Sequence, residues 1–450
     1  MRKRLFLLIA FVPLWAFAEG VLTLENALTL AMKNNTSLKR ESIALKASER
    51  ASKHSWNSLL PSVTVSAIDD IELPDLKRPP DDELENAELR DENTGKIVRN
   101  NVGLEGKIAL TLTTSQFIAA DKAKLDYEAS RISYEEMVSE IASQVKEQYF
   151  SLMLEKQNLD VLKENLENAK SQAEQNDVRY KKGTLSEMEN LSSKAAYEKL
   201  KSDFKTQEHL HKNNLLVFLR FIGMENPSEK LADESFDLGG TLEEFVDKYT
   251  AFFNEKNNVD FTQNIHVGDV PAVASLKKQM EATQKQVSIE RHNAYGPSLN
   301  LSYTINPVLA GYDKGRVKQS AYIGLSFPLE NYLPFSKGAD DIANAQDKIN
   351  ELELSIKEKT QDANADFLNI VEMLAQKQET VSTLKEYVEL SQKNYDAVNY
   401  SYSKGMTEHL SLKSAAKETL DAKLNLQSEF LEILKLYIAL EKLSGKTLPL

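Results

Sequence analysis

The side chains best spaced for covalent chemistry are two serines, each three residues ahead of a lysine. Ser414-Ala415-Ala416-Lys417 has the spacing that lets a lysine activate a serine nucleophile for acyl transfer, and Ser143-Gln144-Val145-Lys146 shares it. Neither the serine-aspartate-asparagine nor the lysine-threonine-glycine motif that completes such a site is found, so both read as polar helix positions. Gly445-Lys446-Thr447 ends like a phosphate-cradling loop but lacks the first glycine and the helix that follows. His209 and His211 stand two apart on an expected helix and face different ways, whereas chelation of zinc from one helix uses a spacing of four. With 6 His and 0 Cys, the expectation is no catalytic residue, no metal, no cofactor, no disulfide and no enzyme.

Composition limits the elements that could position any site. Arg2-Lys3-Arg4, an apolar run from Leu5 to Trp15 and Ala16-Phe17-Ala18 have the order of a cleavable signal peptide, residues 1–18, with a mature chain starting near Glu19. A short core helix is the alternative, and the basic start with the A-x-A end favours export. No later apolar run approaches the ~20 residues of a membrane-spanning helix, and mean hydropathy is -0.43. A membrane crossing would therefore use strands. Net charge is -13, from 55 basic and 68 acidic residues, which disfavours nucleic acid as a partner because phosphate needs a basic field. Only 16 Gly and 12 Pro in 450 residues point to long helices with few turns.

Internal similarity organises the rest. Pro61-Ser62-Val63-Thr64-Val65-Ser66 matches Pro297-Ser298-Leu299-Asn300-Leu301-Ser302, and Tyr180-Lys181-Lys182-Gly183-Thr184 matches Tyr402-Ser403-Lys404-Gly405-Met406. Two structural repeats follow, residues 19–222 and 269–445, with a connector at 223–268 and a tail at 446–450. Each reads as helix, β-hairpin, long helix, glycine turn and returning helix. The opening helices fall at 24–56 and 271–293, the hairpins at 61–113 and 297–329, and the long helices at 115–180 and 336–403. Gly183 and Gly405 mark the turns, helices return over 185–221 and 409–443, and the connector holds a helical piece at 242–252.

Strand periodicity is sharp. Val102, Leu104, Ile108, Leu110 and Leu112 alternate with Glu105, Lys107 and Thr111. Ala321, Ile323, Leu325, Phe327 and Leu329 alternate with Tyr322, Gly324 and Ser326. Val63, Val65 and Ala67 mark the first strand, and Leu299, Leu301, Tyr303 and Ile305 the third. Strands of about ten residues with one apolar face suit a barrel wall between lipid and water. A half-buried soluble sheet is the alternative, and it would leave open edges unless other chains closed them. Residues 74–100 read as a charged, solvated loop and 306–318 as a shorter one. In the helices, Val145, Leu152, Leu159, Leu166, Ala173 and Tyr180 recur every seventh residue. Ile342, Ile349, Ile356, Ala363 and Ile370 do the same, and after a shift so do Leu374, Val381, Val388, Tyr395 and Tyr402. These are coiled-coil seams, and a helix of about 65 residues is roughly 100 Å long.

The ordered set of Leu22-Thr23-Leu24-Glu25-Asn26-Ala27, Leu60-Pro61-Ser62, Gly324-Leu325-Ser326-Phe327-Pro328-Leu329, Tyr402-Ser403-Lys404-Gly405 and Ala439-Leu440-Glu441-Lys442-Leu443-Ser444-Gly445 resembles the TolC-like outer-membrane efflux proteins over nearly the whole mature chain. The resemblance implies a mainly α fold with a small β part. Long antiparallel coiled-coil helices would build an α-barrel, and two hairpins per chain would enter a shared transmembrane β-barrel of about twelve strands in a homotrimer. It implies a passive conduit in the outer membrane, extending into the periplasm, that serves efflux or type I secretion. The partners would be outer-membrane lipid, a periplasmic adaptor, and an inner-membrane pump or ABC transporter. Tyr402 matches a family tyrosine that holds the periplasmic end shut, with Tyr180 its repeat counterpart; ordinary seam packing explains both equally well. Gly183, Thr184 and Leu185, with Gly405, Met406 and Thr407, match the turns that meet the adaptor. Ser411 and Ser414 stand where well-known members carry two aspartates, so the resemblance does not carry an acidic ring to these positions. An exported coiled-coil scaffold or adhesin without a pore is the rival reading.

Overall fold

The computed structural model describes residues 21–72, 99–228, 237–255, 270–311 and 314–444. The signal peptide expected at 1–18, most of the loop expected at 74–100, parts of the connector and the tail lie outside the described residues. The chain divides into two compact units, one formed by Met1–Ile43, Ile132–Ala274 and Lys357–Leu450, the other by Ala44–Arg131 and Ser275–Ile356.

The second unit holds the sheet. Its strands are β2 (Ser62–Glu72), β3 (Arg99–Thr113), β5 (Ser298–Gly311) and β6 (Val317–Ser326). They pair antiparallel in the order β2-β3-β5-β6. The register places Val63 opposite Ile108, Ile108 opposite Tyr303, and Tyr303 opposite Ala321. Because directly opposed residues share a face, the period-two pattern seen in each strand becomes one continuous apolar surface. Two expectations are corrected here. The loop expected at 306–318 is much shorter, since β5 runs on to Gly311 and β6 starts at Val317. The fourth strand ends at Ser326, so Phe327 lies beyond it and Leu329 opens a 3-10 turn, Leu329–Tyr332, with Pro328 breaking the ladder between them.

The first unit holds the apolar core. It contains β1 (Val21–Leu22), α1 (Leu24–Asn34), β4 (Asp237–Leu238) and α5 (Leu242–Glu255). Parts of α3 (Thr114–Lys181) and α7 (Lys337–Ser403) belong to it, as do α4 (Glu187–Phe221) and α8 (His409–Ser444). The opening helix is corrected from one element to two, α1 and α2 (Thr36–Lys53). Asn35 makes the break: its Oδ1 accepts from the backbone N–H groups of Ser37 at 2.9 Å and Leu38 at 3.2 Å, capping α2, while its Nδ2 donates to Phe221 O at 2.9 Å. The remaining helix, α6 (Pro271–Tyr295), precedes β5.

Described parts of the connector pack into the core. β4 pairs in parallel with β1, and Leu238, Leu242, Val246 and Tyr249 are buried in the core. Tyr249 meets Tyr437 edge-on at 5.8 Å, Phe150 meets Phe245 at 5.0 Å, and Phe253 stacks on Tyr437 at 5.0 Å. The Tyr149 hydroxyl donates to Leu22 O at 3.0 Å and is shared with Gly239 O at 3.3 Å, tying β1 and β4 to α3. Burial pushes that phenol up to about 12. Beside this core Lys146 donates to both carboxylate oxygens of Glu441 at 2.7 and 2.6 Å, joining α3 to α8 through a buried ion pair.

Candidate functional site

Two features invite a functional reading, the sheet in one unit and the helical turns in the other. On the sheet, Val63 and Val65, then Leu104, Ile108, Leu110 and Leu112, then Leu299, Leu301, Tyr303 and Ile305, then Ile323 and Leu325 occupy one face in register. Most of that face is uncovered, with Val65 75% and Ile323 78% exposed. The opposite face carries polar side chains that bond to one another. Thr111 Oγ1 donates to Asn300 Oδ1 at 2.9 Å, and Asn300 Nδ2 donates to Ser326 Oγ at 3.0 Å. Among the described residues each outer strand, β2 and β6, has a partner on one side only. A soluble sheet would cover the apolar face with helices. This one leaves it bare.

At the helical turns, Gly183 and Gly405 adopt φ of +73° and +74°. In the first turn, Gly183 N–H donates to Tyr180 O at 2.8 Å and Thr184 N–H to Arg179 O at 2.9 Å. Gly405 N–H donates to Tyr402 O at 2.9 Å and Met406 N–H to Ser401 O at 2.9 Å, the same pair of bonds. This closure satisfies the last carbonyls of a helix and needs a left-handed residue, which glycine adopts without strain. Ser186 and Glu189 then form a capping box that starts α4. Thr184 is exposed, Leu185 and Thr407 are half-buried, and Met406 is 77% exposed. Asp177 joins α3 to α4 by accepting from Lys181 and Lys194, and these lysines hold its carboxyl far below the usual range.

The structure separates the two tyrosines. Tyr402 is 4% exposed and donates to Asn176 Oδ1 at 3.1 Å. The Arg179 guanidinium lies over its ring at 5.3 Å, and the His409 ring stands 5.7 Å away. Tyr180 is 39% exposed and lies outside that cluster. Tyr180, expected as the counterpart of Tyr402, therefore does not share its environment. Sequence reasoning missed Asn176, Arg179 and His409. One signal was available: Asn176 follows Ala173 by three, a seam position where a polar residue is out of place unless bonded. Ser411 and Ser414 are exposed on α8.

The serine-lysine pairs do not assemble chemistry. Ser143 donates to Ser139 O at 3.0 Å within its own helix, while Lys146 is held by Glu441. Ser414 and Lys417 are both exposed. His211 Nδ1 faces Glu155 Oε2 at 3.2 Å and His209 is exposed, so the two histidines do not converge. Among the described residues no cluster of metal-ligating side chains occurs, and no helix is long and apolar enough to cross a membrane.

Comparison with solved structures decides the architecture. The chain matches the CmeC outer membrane channel of Campylobacter jejuni with a TM-score of 0.74 at 16% identity, covering 94% of this chain and 85% of that one. It has the fold of the TolC-like outer-membrane channels. VceC, an outer membrane protein of Vibrio cholerae, matches at TM-score 0.72 and 13% identity over 94% of this chain and 96% of that one. The open-state MtrE outer membrane channel of Neisseria gonorrhoeae matches at TM-score 0.70 and 15% identity over 94% and 89%. No family model matches the sequence, and no curated protein matches it. Like that fold, the chain is mainly helical with a small β part.

Proposed function

We propose that the chain is one subunit of a homotrimeric outer-membrane channel-tunnel, a passive conduit from periplasm to exterior. The observation that carries this reading is the four-stranded sheet with one apolar face bare, one polar face bonded within itself, and neighbours missing at β2 and β6. Three such sheets joined edge to edge give a closed barrel of about twelve strands, within the range of outer-membrane barrels, with lipid on the apolar side and water on the polar side. The channel reading is also supported by the fold shared with CmeC and MtrE.

In this reading Tyr402 helps hold the periplasmic end shut. The turns at Gly183, Thr184 and Leu185 and at Gly405, Met406 and Thr407 meet a periplasmic adaptor that connects the tunnel to an inner-membrane pump or ABC transporter. Residues 1–18 direct export, the mature chain resides in the outer membrane, and no chemistry is performed on the cargo. The test is planar-bilayer recording of the purified mature protein, with its mass in detergent measured in parallel. A trimer that produces discrete conductance steps supports the channel. A monomer that is soluble without detergent and gives no steps would return the reading to an exported coiled-coil scaffold.

A further inference from the structure

His409 opens α8 with both ring nitrogens buried and, among the described residues, without a hydrogen-bond partner. Two more orphaned polar atoms lie on the elements it joins: Asn176 Nδ2 on α3 and Asn190 Oδ1 on α4, both on buried residues. An imidazole without partners is tolerated in such a place only while it is neutral, because a buried cation without a counter-charge is far more costly than a buried dipole.

The charges around the ring are unfavourable to a cation. From α7 it meets the Tyr402 ring at 5.7 Å, and α3 brings the Arg179 guanidinium over that same tyrosine at 5.3 Å. On α8 itself Lys413 lies one turn further on, and α4 supplies an opposing charge, Glu189. Glu189 is already engaged with Ser186 in the capping box. The position within α8 adds to this, since the first turn of a helix carries the positive end of its dipole.

We propose that His409 is a pH-sensitive catch: neutral, it packs the first turn of α8 against Tyr402 and keeps the ends of the helical hairpins together; protonated, it loosens them. The direction follows from linkage. Burial, the largest influence, pulls the proton affinity of the ring below the ordinary histidine value; Glu189 opposes this and Lys413 adds to it. A group depressed in the packed state stabilises that state fully above its unperturbed pKa of about 6.5 and loses the contribution as pH falls. The channel consequence, opening favoured by acid, rests on the proposed function, whereas the catch itself does not.

The catch is tested by hydrogen–deuterium exchange of the full mature chain in detergent between pH 7.5 and 5.0, corrected for intrinsic exchange. Peptides covering 176–190 and 398–413 are followed. The expected result is that the wild type loses protection by up to about tenfold per pH unit below about 6.5. His409→Gln should be flat across the range, and His409→Lys should be unprotected throughout. A wild type as flat as His409→Gln, or a His409→Gln that keeps the wild-type slope, overturns the proposal; this comparison stands even where His409→Lys fails to fold. Planar-bilayer recording at the same pH values separates the two ideas. A pH slope in exchange without conductance leaves the catch standing and removes the channel, and conductance with flat exchange does the reverse.

Discussion

The Tyr402 hydroxyl is a single buried bond with a measurable weight. Its loss in Tyr402→Phe removes the donor to Asn176 and should cost about 1 kcal/mol of packing, a factor of about five in an equilibrium between shut and open ends. Single-channel open probability should rise by that factor, while Tyr180→Phe, altering an exposed ring, should leave it unchanged. The buried pair of Lys146 and Glu441 makes a different prediction. Glu441→Ala strands the ammonium between α3 and α8, at a cost of about 3–5 kcal/mol, visible as a lowered thermal midpoint in detergent. Lys146→Met combined with Glu441→Leu should recover most of that loss, because neither charge is then left alone. Residue-level chemistry was only partly legible beforehand. Gly183 and Gly405 were readable because a helix hairpin has to stop on a residue tolerant of positive φ. His409 was not, because its meaning depends on Tyr402 packing against it and on Arg179 arriving from another helix.

Among elements, the sheet gives the clearest prediction. Leu301 pairs with Leu110 on one side and Ile323 on the other, in the middle of the bare apolar face, and Ser302 lies on the polar face opposite Ala109 and Tyr322. A lysine at 301 would cost about 2–4 kcal/mol against lipid, while a lysine at 302 would meet water. Leu301→Lys should therefore deplete the folded oligomer in detergent extracts, read from gel mobility before and after heating, and Ser302→Lys should not. Equal yields would contradict a lipid-facing surface. Period two made these strands visible in the sequence, and the sevenfold seams did the same for α3 and α7. The break at Asn35 was hidden because the apolar pattern of α1 and α2 continues through it, and only the tertiary bond to Phe221 shows why the chain turns there. The end of β6 was misjudged because alternation carries on into Phe327 and Leu329 after the ladder has stopped.

The whole molecule is asymmetric in how its parts are satisfied. The unit with the aromatic core buries its largest side chains within one chain, whereas the sheet of the other unit has, among the described residues, two outer strands each paired on one side. Dilution of the detergent-solubilised protein should accordingly separate subunits before the core around Tyr249 and Tyr437 melts, so near-ultraviolet dichroism should persist after the sedimenting mass has fallen. Simultaneous loss of both signals would place the core in the subunit interface instead.

The pairing of β3 with β5 also sets a schedule. Thr111 and Asn300 bond across 189 residues, so no part of the second hairpin can dock until most of the chain has emerged. Until then β2 and β3 carry an unpaired edge beside an apolar face, which is a template for mispairing. A chain stalled before β5 would therefore be the species most exposed to mispairing through the free edge of β3.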